Sequence, residues 1–148
     1  MTSKVHYMSQ RQDWETPQFL FDGSNAEFGF DMDVCATPES AKCRKFFASR
    51  DDGLTQHWQG ICWMNPPYGR EIARWMQKAF ESAQDGATAV CLVPARTDTK
   101  SWHRFAMRGA IRPLRGRRKF GRSVNSAPFP GAVVIFRLPK SGQPPIVP

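Results

Sequence analysis

No apolar run in this sequence approaches the ~20 residues that a membrane-spanning helix needs, and the polar stretch from Met1 to Glu15 has no signal-peptide core. These absences predict a cytoplasmic protein with no membrane partner. There is no C-x-x-C pair either. Cys35 and Cys43 stand apart, Cys62 and Cys91 sit inside apolar runs, and the three histidines, His6, His57 and His103, are scattered. That spacing supplies no zinc or redox centre, so no metal is expected and the cysteines read as reduced, buried thiols. No internal repeat occurs. At 148 residues, 41% hydrophobic and 12% aromatic, the chain is too apolar to be disordered and has room for one core. A single domain is expected over 14–138, between a flexible N-terminus at 1–13 and a flexible proline-rich tail at 139–148.

Acid is nearly missing from one long segment. Between Arg96 and Arg122 there are ten Lys/Arg against Asp98 alone, so this segment carries more than the whole chain's net charge of +8. Eight of the ten are Arg, the residue suited to bidentate contact with phosphate or guanine. A polyanion is the expected partner, with nucleic acid the default. Arg96, Thr97, Asp98 and Lys100 follow an apolar run. Arg115, Arg117, Arg118, Lys119 and Arg122 lie on an arm rich in Arg, Gly and Pro.

Ile72, Trp75, Met76, Ala79, Phe80 and Ala83 recur at helical spacing and predict one continuous apolar helix face. A strand is expected before it at Ile61 to Met64, and another after it at Ala87 to Val93, buried on both faces and stopped by Pro94. This succession is a βαβ unit, which implies a mostly parallel sheet. Elsewhere the pattern predicts a short helix at Gln18 to Phe21, with Thr16 as N-cap and Pro17 in its first position. It also predicts a strand over Phe28 to Val34, a helix over Ala36 to Phe47, and a turn at Asp51-Asp52-Gly53-Leu54. A helix capped by Thr97 or Asp98 and strands at Ala110 to Leu114 and Ala132 to Leu138 complete the expected elements.

Between the strand at 61–64 and the long helix stands Asn65-Pro66-Pro67-Tyr68. Two prolines fix φ and lack N–H donors, so the loop cannot be absorbed into either neighbour. The Asn65 side chain and the Pro66 carbonyl are thereby offered as acceptors at the C-terminal edge of a sheet, where open α/β folds bind ligands. Two neutral acceptors suit an amino group, because they localise a nitrogen lone pair otherwise delocalised into a nucleobase ring. Tyr68 offers a face on which such a base can stack. The chemistry suggested is methylation of an amino nitrogen.

Five ordered motifs resemble those of the phage-type DNA adenine-N6 methyltransferases, over about Trp14 to Phe136. They are Trp14-x-Thr16-Pro17; Phe30-Asp31-Met32-Asp33-Val34-Cys35-Ala36; Asp52-Gly53-Leu54 with Trp58, leading to Asn65-Pro66-Pro67-Tyr68; Leu92 to Thr99; and Pro128-Phe129-Pro130-Gly131. The resemblance implies a compact α/β, Rossmann-like methyltransferase fold, S-adenosyl-L-methionine as cofactor and DNA as partner. It implies Asn65, Pro66, Pro67 and Tyr68 as the catalytic loop. For the cofactor it implies Thr16 and Pro17 beside the methionine, and Asp33, or Asp31 in its place, near the ammonium or ribose. Cys35 and Ala36 belong to the same motif, Asp52 is expected on the adenine or ribose, and Trp14 either covers the cofactor or anchors the N-terminus. The segment Asp33 to Thr37 departs from commoner methyltransferases in lacking G-x-G. Cytosine N4, RNA adenine, a protein amide or a non-catalytic DNA-binding module remain as alternatives on sequence alone.

Overall fold

A computed structural model of the protein describes residues 16–115, 130–139 and 146. Its centre is the apolar run expected as a doubly buried strand. Every residue of β3 (Thr88–Pro94) is buried. Ala89, Cys91 and Val93 face one side of the sheet and Val90 and Leu92 the other, so both faces are covered and no polar alternation is required. Around it lie β1 (Met32–Asp33), β2 (Ile61–Met64), β4 (Ala110–Pro113) and β5 (Gly131–Phe136), in the spatial order β1-β2-β3-β5-β4.

The ladders β1·β2 and β2·β3 are parallel, while β5 runs antiparallel to both β3 and β4. Four strands therefore point one way and β5 is reversed among them. The expectation of a mostly parallel sheet holds over β1, β2 and β3, and beyond them the sheet is mixed, with two parallel ladders and two antiparallel. The reason is local. Strands β4 and β5 are consecutive and pair directly, and β5 returns along β4 in the opposite direction, which needs no crossover.

Helices cover both faces. α1 (Gln18–Phe28) lays Phe21 against the edge of Trp63, with ring centroids 5.6 Å apart. α2 (Ile72–Gln84) and α3 (Lys100–Arg104) cover the other face, where Trp75, Met76, Ala79 and Trp102 join Met64, Cys91 and Val134. The expected βαβ unit is present as β2, α2 and β3.

Three expectations about the first half fail. The helix at 18–21 runs on to Phe28 and ends at Gly29 in the left-handed region (φ 69°), which shortens the expected strand 28–34 to Met32–Asp33. Thr16 does not cap α1; Pro17 occupies the cap position without a side-chain bond. The helix expected over 36–47 does not form. Its apolar face is too thin to bury, and the backbone pairs with β1 instead: Phe47 donates to the Asp33 carbonyl, Asp33 to the Lys45 carbonyl, and Ala36 to the Phe47 carbonyl. In the second half the cap of α3 is Thr99, whose hydroxyl accepts from Trp102 N at 3.3 Å, and not Thr97 or Asp98.

Candidate active site

Because β1, β2 and β3 run parallel, the loops that follow them leave from one edge of the sheet. Residues after β4 leave from that edge as well, since β5 is antiparallel to both of its neighbours. The loop after β2 is Asn65-Pro66-Pro67-Tyr68, closed by Gly69 at φ 111°, a conformation that a side chain would strain. It does not stand open to solvent. Asn65 is 7% exposed and Tyr68 3%.

A chain of hydrogen bonds fixes the loop. Asn65 Nδ2 donates to Thr16 Oγ1 at 2.9 Å, and Trp63 Nε1 donates to the same oxygen at 3.3 Å. The Tyr68 hydroxyl lies 3.1 Å from Asn65 Oδ1 and 3.2 Å from the Leu92 carbonyl of β3, with its one proton to donate between them. Burial pushes the Tyr68 phenol well above its ordinary pKa, so it is a neutral donor and no base. A threonine hydroxyl has two lone pairs and one proton. Both lone pairs of Thr16 face N–H donors, and among the described residues nothing accepts the proton. Sequence reading put Thr16 beside a cofactor and at a helix cap; the structure gives its hydroxyl to Asn65 and Trp63. The signal for Trp63 was parity: residues 63 and 65 share a face of β2 and its extension. The Leu92 carbonyl carried no signal in sequence.

The expected cofactor residues separate by edge. Asp33 is buried at the end of β1, where its carboxylate accepts from the backbone N–H of Cys35 at 3.3 Å and of Lys42 at 3.1 Å. It thus clamps the loop carrying Cys35 and Ala36. Asp31 precedes β1 and accepts from Ile61 N, the first residue of β2, at 2.8 Å. That puts it at the opposite edge from Asn65, and parity alone had not distinguished it from Asp33. Asp52 is exposed and adopts φ 51°, an uncommon conformation for a residue with a side chain; one carboxylate oxygen accepts from Leu54 N at 3.2 Å. The turn it opens docks on the C-terminal end of β1, since a Cβ at Gly53 would collide with the Val34 carbonyl. Pro17 is buried beside Thr16. Trp14 lies outside the described residues.

Of the basic segment, Arg96, Thr97, Asp98 and Lys100 are exposed after β3, and Arg115 is exposed after β4, all on the edge that carries Asn65. Arg117, Arg118, Lys119 and Arg122 lie outside the described residues, but Arg115 and Pro130, which flank them, stand at that edge; Ala95 N donates to the Pro130 carbonyl at 2.8 Å. Not every cation faces outward to a partner. Arg112 makes a two-pronged bond to Glu27 at 2.7 and 2.9 Å, which holds the Glu27 carboxyl below the usual range. Arg104 and Arg108 lie over the rings of Phe105 and Phe80. Among the described residues no cluster of three or more His, Cys, Asp or Glu converges, and no helix is long and apolar enough to cross a membrane.

The family description that matches this chain is DNA N-6-adenine-methyltransferase (Dam), over residues 3–127. The chain is 32% identical over 113 residues to the DNA N-6-adenine-methyltransferase of Haemophilus phage HP1 (strain HP1c1), covering 74% of this chain and 65% of that protein. It is 29% identical over 100 residues to the DNA N-6-adenine-methyltransferase of Escherichia phage T1, covering 66% of this chain and 41% of that protein. The matches thus span less than two thirds of either relative's length. With a proline-locked Asn65 at the strand ends and basic residues along the same edge of the sheet, the chain belongs to the DNA N-6-adenine-methyltransferase (Dam) family.

Proposed function

We propose that this chain transfers a methyl group from S-adenosyl-L-methionine to the N6 amino group of adenine in DNA, on a Rossmann-like scaffold in the cytoplasm where that DNA lies. The observation that carries the reading is Asn65. Its amide is anchored by the nitrogen on Thr16, which directs the oxygen away from that anchor and toward the Tyr68 hydroxyl. The open sheet, helices on both faces and loops meeting at the ends of parallel strands support the scaffold. The family and the printed activity of both relatives favour adenine over cytosine.

The donor set suits S-adenosyl-L-methionine. Asp52 holds an exposed carboxylate, strained in the left-handed region, beside the end of β1, as expected of a residue kept for hydroxyl or ammonium groups. Pro17, Cys35 and Ala36 are assigned to the methionine side, while Asp33 shapes the loop that carries Cys35 and Ala36 from within. When bound, the sulfonium supplies an electrophilic methyl group. The chain's own residues do the rest. Asn65 Oδ1, with the Pro66 carbonyl as second acceptor, takes the N–H bonds of the incoming amine and localises its lone pair.

Tyr68 must change partners. Its buried ring does not offer a stacking face in this arrangement. Turning it toward the cleft frees Asn65 Oδ1 and exposes the ring to the base in one motion. Leaving the two hydroxyl partners costs about 1 to 3 kcal/mol, and base–aromatic stacking returns about 1 to 3 kcal/mol. Withdrawing the ring from the core forfeits a further ~1.5 to 3 kcal/mol of burial, which the rest of substrate binding must supply.

The test is mass spectrometry of nucleosides from DNA incubated with the protein and S-adenosyl-L-methionine. N6-methyladenine is the expected product. N4-methylcytosine alone would overturn the choice of base, and no methylated nucleoside would overturn the transferase reading.

A further inference from the structure

A carboxamide reversed by half a turn exchanges acceptor for donor. At Asn65 that reversal would set an NH2 against the amino group of the substrate, two donors with nothing between them. Something must hold the amide the right way round once the Tyr68 hydroxyl has withdrawn from Oδ1. Buried at 5% exposure, Thr16 is in contact with the other end of the amide.

We infer that Thr16 is a positioning residue whose hydroxyl holds the Asn65 carboxamide by its nitrogen, so that the oxygen faces the amino group to be methylated. The inference rests on the reading of Asn65 as the acceptor. Its physical basis is the occupancy of one oxygen. Trp63 Nε1 can only donate, and it claims one lone pair of Thr16 Oγ1; Asn65 Nδ2 claims the second. With both filled, the hydroxyl proton points away from the amide. Were that proton given to Asn65 instead, it would favour the reversed amide; Thr16 therefore holds the productive orientation by accepting from Nδ2. Trp63 is itself packed against Phe21 in an edge-to-face pair and against Phe30 at 5.3 Å, so the anchor is tied to the core.

The experiment compares kcat and KM for Thr16→Val, Thr16→Ala and Thr16→Ser with wild type. Loss of the hydroxyl is expected to lower kcat by about 10- to 100-fold, the scale for removing a supporting partner of a reacting group, with KM for S-adenosyl-L-methionine held within about twofold. Thr16→Ser should recover most of the rate lost in Thr16→Ala. Those two variants lack the same methyl and differ in the hydroxyl, so the comparison stands even if Thr16→Val does not fold. Placed on Asn65→Ala, itself expected to lose about 10² to 10³ in rate, Thr16→Ala should cost nothing more, because it acts through the missing amide. Full activity in Asn65→Ala would remove the acceptor reading. Loss in Asn65→Ala with normal kcat in Thr16→Ala, or a rise in KM for the cofactor alone, would overturn the positioning role and leave the acceptor reading in place.

Discussion

At the scale of single residues, the same side chains that define the loop are also satisfied by one another. Tyr68 illustrates how this separates stability from catalysis. Its hydroxyl serves Asn65 and Leu92 in the folded protein, while its proposed work on a base needs only the ring. Tyr68→Phe is expected to lower stability by about 1 kcal/mol, the usual net worth of a buried hydrogen bond. It should leave kcat within about threefold, since the stacking face is retained. Urea denaturation and steady-state rates on the same preparation check both halves. A large loss of kcat with unchanged stability would mean that the hydroxyl takes part in transfer, a role its raised pKa does not favour.

At the scale of elements, α3 tests how a local cap decides where a helix begins. It is short, carries the buried Trp102, and opens at Thr99, whose side chain accepts from Trp102 N. Thr99→Ala should therefore cost about 1 kcal/mol. Thr97→Ala should stay within about 0.5 kcal/mol, because what Thr97 gives the helix region is its carbonyl to the His103 ring, which alanine keeps. Thermal melts of the two variants decide it. The misplaced cap is typical of what the sequence hides: the expected cap was Thr97 or Asp98, and the turn geometry sets it at Thr99. Long periodic elements were legible, as with α2 and β3, whose patterns come from burial on one face or on two. The segment 36–47 was not, because its structure is set by pairing with β1 at long range and not by its own propensity. Within the site, the proline-locked loop was legible from chemistry. The bond from Asn65 to Thr16, 49 residues earlier, was not, since only folding brings the two together.

For the molecule as a whole, protonation and charge make two separate demands. Burial pushes the Cys62 thiol up to about 12, with the charges of Asp31 and Cys43 adding to it, and the half-buried Cys43 up to about 11. In the unfolded chain a thiol ionises near its ordinary value of ~8.5. From about pH 9 upward the unfolded state therefore releases protons that the folded state keeps, and stability falls as pH rises, until the folded thiols also ionise. Each thiol charged only in the unfolded chain contributes a slope of about 1.4 kcal/mol per pH unit. Urea midpoints at about pH 8, 9 and 10 should show the decline, and Cys62→Ala should make it shallower; an unchanged slope would mean that water reaches this thiol. Net charge answers to a different partner. Arg115 and Pro130 stand at the edge that carries Asn65, so the residues flanking the basic segment lie on the same edge of the sheet as the proposed site. Arg112 belongs to the same basic stretch by sequence, yet both its terminal nitrogens are committed to Glu27. Counting charge alone would treat these arginines as equivalent. If the arm meets phosphates, charge reversal at Arg117 and Arg118 should weaken binding to every duplex tested and lower the log–log salt slope by about 0.9 for each phosphate no longer neutralised. Arg112→Gln should leave that slope where it is and cost no more than about 1 kcal/mol of stability, the worth of an exposed pair. Fluorescence anisotropy with labelled DNA across a salt series measures both. A slope that drops for Arg112→Gln but holds for the Arg117 and Arg118 reversals would move the DNA interface off the arm and onto the face of the sheet covered by α1.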